Sequence, residues 1–252
     1  MPDRPPRLQL HRRGLGATED QYAVLRDWVA ELASPGCRLL DVGAGDGDDG
    51  YAALLRPLVA EVVGVDPDPG IRRNVLLDRR YEMPVERFAA NRLEEPFELA
   101  VAVYVAEHVS HPAAFLGSVR ACLRPGGSLI LVTPNLWHYF GLAAKSTMVL
   151  GLDDALLRFA RASHPGHAHV AHFRVAYKMN SGAALEREAA SAGFVSGEIR
   201  YLENPAIFET YFPTRLSWLP RGYSSAVHRL GLEALYGTVL CRLVTGEVQA
   251  AD

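Results

Sequence analysis

Lysine is nearly absent from this chain. Lys145 and Lys178 are the only two, and arginine carries the rest of the positive charge. The 26 basic residues face 29 acidic ones, for a formal net charge of -3. Without a basic surplus the chain lacks the electrostatic footprint of a nucleic-acid binder. Cysteine is scarce as well. Cys37, Cys122 and Cys241 are scattered and odd in number, so they give neither a disulfide framework nor a metal-ligand spacing. They read as small buried hydrophobes in a reducing compartment. No run of about 18 apolar residues occurs, which excludes an expected transmembrane helix. No apolar signal segment opens the chain, and no internal repeat or low-complexity stretch is present. These absences lead to the expectation of a soluble, cytoplasmic protein that does not bind nucleic acid, with its oligomeric state open. At 252 residues and 49% hydrophobic content, a sizeable core is affordable.

What is present is a strand-and-loop pattern of one kind. Leu39-Leu40-Asp41-Val42 is an apolar strand carrying an acid, and Gly43-Ala44-Gly45-Asp46-Gly47 follows it. Alternating glycines let backbone N–H groups crowd against a ligand. About twenty residues on, Glu61-Val62-Val63-Gly64-Val65-Asp66 is a second apolar strand ending in an acid, at the spacing that suits ribose hydroxyls. Asp41 lies two positions before the first glycine. A carboxylate there would repel the phosphates of a dinucleotide and suit a cofactor bearing an ammonium group. Downstream, Leu123-Arg124-Pro125-Gly126-Gly127 reads as a helix end and turn before the buried strand Ser128–Val132.

In these residues the chain resembles the class I methyltransferases that use S-adenosylmethionine. The likeness runs over about residues 37–135: Leu39–Gly47, Val62–Asp66, the strand Phe97 onward with its Glu107-His108-Val109 ending, and Leu123–Val132. That ending looks most like the small-molecule and quinone-type O-methyltransferases. The resemblance implies an α/β fold, a doubly wound and mostly parallel seven-stranded sheet, Rossmann-like, with a small helical and aromatic cap. It implies S-adenosyl-L-methionine as cofactor and transfer of its methyl to a hydroxyl of a natural product, sugar or quinone-like ring. Carried onto this sequence, the cofactor residues are Asp41 near the ammonium group, Gly43, Ala44 and Gly45 in the loop, Asp66 and Pro67 at the ribose, and Tyr104 after the fourth strand. The segment Ala89–Leu93 lacks the usual acid for the adenine amine, and Asn91 is the candidate in its place. N- or C-methylation, a non-catalytic cofactor-binding protein and a nicotinamide-dependent oxidoreductase stand as alternatives.

Glu107 and His108 admit three readings: a brace for the loop before Pro112, a divalent metal site, or His108 as general base. Quinone-type relatives can carry two glutamates and a histidine here. Tyr104 takes the first acidic position, so the ligand set is short and no metal is expected. His164, His167, His169 and His172 cluster in nine residues, with His138 upstream. They read as a polar lid, a substrate-facing base or a metal site. The candidates for a single base are therefore His108, His138, His167 and His169. Trp137-His138-Tyr139-Phe140 is expected to wall an acceptor pocket, with Phe208, Tyr211, Phe212 and Trp218 opposite.

The periodicity gives the remaining organisation. Residues 1–13 are expected to fray. Thr18 caps a helix to Ala33. Strands are expected at 38–42, 61–66, 85–90, 97–104 and 127–133, alternating with helices at 48–57, 68–79 and 112–123. Beyond residue 134 come a helix at 181–192, a strand from Gly193-Phe194 and a last strand at 236–244. This divides the chain into an N-terminal arm and helix at 1–36, a cofactor-binding half at 37–133, and cap segments with the remaining strands at 134–252. Segments 134–176 and 203–235 are expected to close over the acceptor.

Overall fold

In the computed structural model, residues 8–14, 20–150, 175–209, 212 and 214–246 are described. In chain order the elements are β1 (Gln9–Gly14), α1 (Gln21–Leu32), β2 (Arg38–Val42), α2 (Tyr51–Leu55), β3 (Glu61–Asp66), β4 (Arg79–Glu82), α3 (Val85–Asn91) and β5 (Phe97–Val103). There follow α4 (Pro112–Cys122), β6 (Leu123–Pro134), α5 (Tyr139–Val149), α6 (Gly182–Ala192), β7 (Phe194–Leu202), α7 (Pro205–Glu209), α8 (Trp218–Arg229) and β8 (Thr238–Thr245). The strands form one sheet in the order β1-β7-β8-β6-β5-β2-β3-β4. Among the described strands, only β8 runs antiparallel to its neighbours, β6 and β7. The expected doubly wound sheet is thus present, and an eighth strand, β1, extends it at the β7 edge.

Strand alternation splits the core in two. Leu40, Val42, Val63, Val65, Ala100, Ala102, Leu129 and Leu131 face α3, α4 and α6, packing on Phe88, Phe115, Leu116 and Leu185. Leu39, Val62, Leu99, Val101, Val103, Ile130 and Val132 face α1 and α2, against Leu25, Trp28, Val29, Tyr51 and Leu55. Asp41 shares the face of Leu39, so it points toward α2.

Several local expectations need correction. Residues 9–14, expected to fray, are a strand paired with β7. Helix α1 begins later than expected, because Asp20 and not Thr18 caps it, its Oδ1 accepting from the Tyr22 amide at 2.8 Å. Residues 68–79 form only a short 3-10 turn, Pro69–Arg73, and the strand expected at 85–90 is helix α3. Val85 and Phe88 bury one face of α3, and Arg92 ends it in the left-handed region at φ 45°. The third strand of the cofactor half is Arg79–Glu82 instead, a polar edge strand with no apolar run to betray it. No helix among the described residues is long and apolar enough to cross a membrane.

Candidate cofactor and acceptor site

The carboxyl ends of β2, β3 and β5 meet at one edge. Gly43 (φ 76°) and Gly45 (φ 52°) take backbone angles that side chains disfavour. A Cβ on Gly43 would run into Val105 Cγ2, just past β5, whereas a Cβ on Gly45 would meet open space. The loop is tied across the sheet in three ways. The Gly43 amide donates to Val65 O at 2.7 Å. The Gly45 amide donates to Asp66 Oδ2 at 3.0 Å. Asn74, fully buried, donates from Nδ2 to Ala44 O at 2.9 Å while its Oδ1 accepts from the Leu76 amide at 3.1 Å. Asn74 carries no motif, and sequence reasoning missed it.

Electrostatically the site is acidic. Asp41 is buried, and burial pushes its carboxyl up to about 7. The Tyr51 hydroxyl, donating at 3.0 Å, opposes that rise, and the charges of Asp66 and Asp49 add to it. Burial also raises Asp66, which accepts from the amides of Gly45 and Asp68. A field of this sign suits a ligand carrying sulfonium and ammonium groups, and the open face of Gly45 leaves room for it. Pro67 is exposed beside Asp66, and Ala44 is buried under the loop. Tyr104 follows β5 at φ 55°, its amide donating to Val132 O at 2.8 Å. Asn91 is elsewhere. It ends α3, the helix that leads away from these carboxyl ends toward the start of β5, and so lies at the opposite edge of the sheet. It does not join Asp66 and the glycines, and the adenine assignment to Asn91 is withdrawn.

Past β5, Glu107 is buried. Its Oε2 accepts from the Thr133 hydroxyl at 3.1 Å, and Thr133 accepts from Asn180 Nδ2 at 2.6 Å. Burial raises its carboxyl to about 7 against the Thr133 bond. Its carbonyl takes the amides of Ala176 and Tyr177. Glu107 thus braces the ends of β5 and β6 against segment 175–181. Among the described residues no group of three metal-ligating side chains occurs.

His138 sits differently from a free base. It caps α5, Nδ1 accepting from the Phe140 amide at 3.4 Å, and Nε2 lies 3.6 Å from Glu203 Oε2. Burial among Tyr139, Phe208 and Tyr223 holds the imidazole neutral, near 3. With one nitrogen capping and the other facing Glu203, His138 has no lone pair to offer a substrate. His167 and His169, with His164, His172 and Tyr211, lie outside the described residues. His108 ends the 3-10 turn Ala106–His108, its amide donating to Val105 O.

Of the aromatics expected around an acceptor, two share a cavity. Tyr139 and Phe212 line it, with Leu219, Pro220 and Tyr223. Phe208 is buried behind it on the His138 ring, at 4.3 Å between centroids. Trp137 and Trp218 are exposed. Glu203, buried at the end of β7, was also missed in the sequence. It accepts from the Gly237 amide at 2.7 Å.

A methyltransferase-domain family model matches residues 17–196. The ubiquinone biosynthesis O-methyltransferase of Bradyrhizobium sp. (strain ORS 278) is 34% identical over 139 residues, covering 51% of each chain. The mitochondrial enzyme of the same description from Mus musculus is 35% identical over 116 residues, 40% of this chain and 29% of that one. The chain spans about half the length of the bacterial relative. Among solved structures, a SAM-dependent methyltransferase from Archaeoglobus fulgidus superposes with a TM-score of 0.56 at 14% identity, covering 89% of this chain and 92% of that one. Phosphoethanolamine N-methyltransferase 2 of Haemonchus contortus, in complex with S-adenosyl-L-methionine, gives a TM-score of 0.54 at 13% identity, covering 90% of this chain and 52% of that one. At such identities these two speak for the fold. With the family match extending over most of its length, the chain belongs to the S-adenosylmethionine-dependent methyltransferase-domain family.

Proposed function

We propose that this protein transfers the sulfonium methyl of S-adenosylmethionine to a hydroxyl of a small molecule. The observation that carries this reading is the joining of the glycine loop to Asp66, whose carboxylate is held at the loop by the Gly45 amide at 3.0 Å. A carboxylate bonded through one lone pair on each oxygen keeps others for ribose hydroxyls. Asp41 supplies negative charge for the ammonium end, and Tyr104 borders the site past β5. The choice of a hydroxyl is supported by the likeness to ubiquinone biosynthesis O-methyltransferases. A sulfonium methyl is already activated, so the protein's work is to align the acceptor and exclude water. A hydroxyl acceptor also needs a group to take its proton. His108, at the end of the 3-10 turn that follows β5, is the candidate for that role. Calorimetric titration with S-adenosylmethionine and with NAD tests the cofactor, and a screen of hydroxylated small molecules with labelled methyl donor tests the reaction. Binding of NAD without S-adenosylmethionine, or label appearing only on nitrogen or carbon, overturns the reading.

A further inference from the structure

We propose that the cavity between α5 and α8 is a site for an organic ammonium group, in which aromatic rings form the wall and buried Glu203 supplies the charge. The cavity holds about 280 Å³ and is lined by Tyr139, Phe212, Leu219, Pro220 and Tyr223. Its three rings stand edge to face, with Tyr139 at 4.7 Å from Tyr223 and 6.2 Å from Phe212 between centroids. The Tyr223 hydroxyl is spent on Leu235 O at 2.8 Å, so Tyr223 offers its ring. Faces of this kind attract cations through the ring quadrupole.

Walls alone would take any hydrocarbon. The charge behind them decides. Glu203 has 1% of its side chain exposed, and no lysine or arginine among the described residues pairs with it. His138, its neighbour, is held neutral by burial. Oε2 takes the Gly237 amide, and burial raises the carboxyl to about 7 against the bonds of Gly237 and Ser224, so Glu203 carries its full charge only above neutrality. Glu203 does not line the cavity but stands one ring behind its wall: Oε2 lies 3.6 Å from His138 Nε2, and the His138 ring is 4.1 Å from Tyr139 and 4.9 Å from Tyr223 between centroids. Arg221, next in sequence to the lining residue Pro220, is paired with Glu209 by two bonds, at 2.7 and 2.9 Å. A buried carboxylate without a counter-charge is costly, and a cation seated on the rings offsets that cost where a neutral occupant cannot. The inference rests on the proposed function in one respect: the ammonium is taken to belong to the acceptor, which is then an amine-bearing alcohol methylated at oxygen.

The test titrates the full chain at pH 8, where Glu203 is ionised, with choline and with its uncharged isostere, 3,3-dimethylbutan-1-ol, by ligand-observed NMR. Choline is expected to bind about tenfold more tightly. Glu203→Gln should erase that preference. Tyr139→Leu should lower choline affinity and spare the alcohol, which keeps the test open if Glu203→Gln does not fold. Equal binding of the two probes, no choline binding, or an unchanged preference in a folded variant overturns the proposal. S-adenosylmethionine titrated into the same samples separates the two readings. Its failure to bind the unmodified chain counts against the methyltransferase reaction and leaves the probe comparison standing.

Discussion

The side-chain amide of Asn74 donates to the carbonyl of Ala44 at 2.9 Å, so a residue thirty positions downstream holds the glycine loop in shape. Asn74→Ala strands the Ala44 carbonyl and the Leu76 amide in a buried place. The expected cost is about 1–3 kcal/mol of folding stability, read by urea denaturation. Weaker S-adenosylmethionine binding should accompany it. Full affinity in the variant would mean that the loop keeps its form unaided.

Asp66→Ala should weaken S-adenosylmethionine binding by about 1–3 kcal/mol, the usual cost of lost charge-assisted bonds. Gly43→Val should abolish it, because the new side chain meets Val105 and the backbone stands at φ 76°. Calorimetry on folded variants decides both. Unchanged binding in Asp66→Ala sinks the ribose assignment.

Cofactor affinity should depend on pH through Asp41. Its carboxyl sits near 7 in the free protein, so it is largely protonated at pH 6 and ionised at pH 8. The ammonium end of the cofactor favours the ionised form. Affinity should therefore rise as pH climbs from about 6 to 7.5, and binding near neutrality should release protons. Calorimetry in buffers of different ionisation enthalpy reads that release. Asp41→Asn should remove both effects.

Methyl transfer should survive EDTA. Tyr104 stands where the first carboxylate of a quinone-type ligand set would be, and Glu107 is turned to Thr133 at 3.1 Å. Loss of turnover on chelation, restored by magnesium, would reverse this reading.

His108→Ala should lose on the order of a hundredfold in turnover with cofactor affinity intact. His138→Ala should act on stability, by about 1 kcal/mol for the lost cap of α5. Near-normal turnover in a folded His108→Ala would make alignment alone the better account of the reaction.

The sequence was most legible where one residue type fixes local geometry. The glycine loop, the acid closing β3 and the stripe Tyr22, Leu25, Trp28, Val29 and Leu32 on α1 all announce themselves within a few positions, and of that stripe Leu25, Trp28 and Val29 are buried. β4 is not marked in the sequence because an edge strand of Arg79, Arg80, Tyr81 and Glu82 needs no apolar face, and the strand expected at 85–90 is a helix that buries Val85 and Phe88 at i, i+3 spacing. Asn91 failed for the same reason, since its role assumed that strand. Asn74, Tyr51 and Glu203 gain their roles from partners far along the chain, which no local pattern encodes.

Strand β1 has β7 as its sheet partner, with Gln9 opposite Ser196 and Gly14 opposite Tyr201. β1 is made before β7 and must therefore wait until residues 194–202 have followed it. Its pairing closes a very long loop, which is entropically late and slow. Because β7 joins the sheet through β8, the β6 edge stays open to strands from other molecules until both are made, and crowded synthesis is where misassembly of this fold would begin.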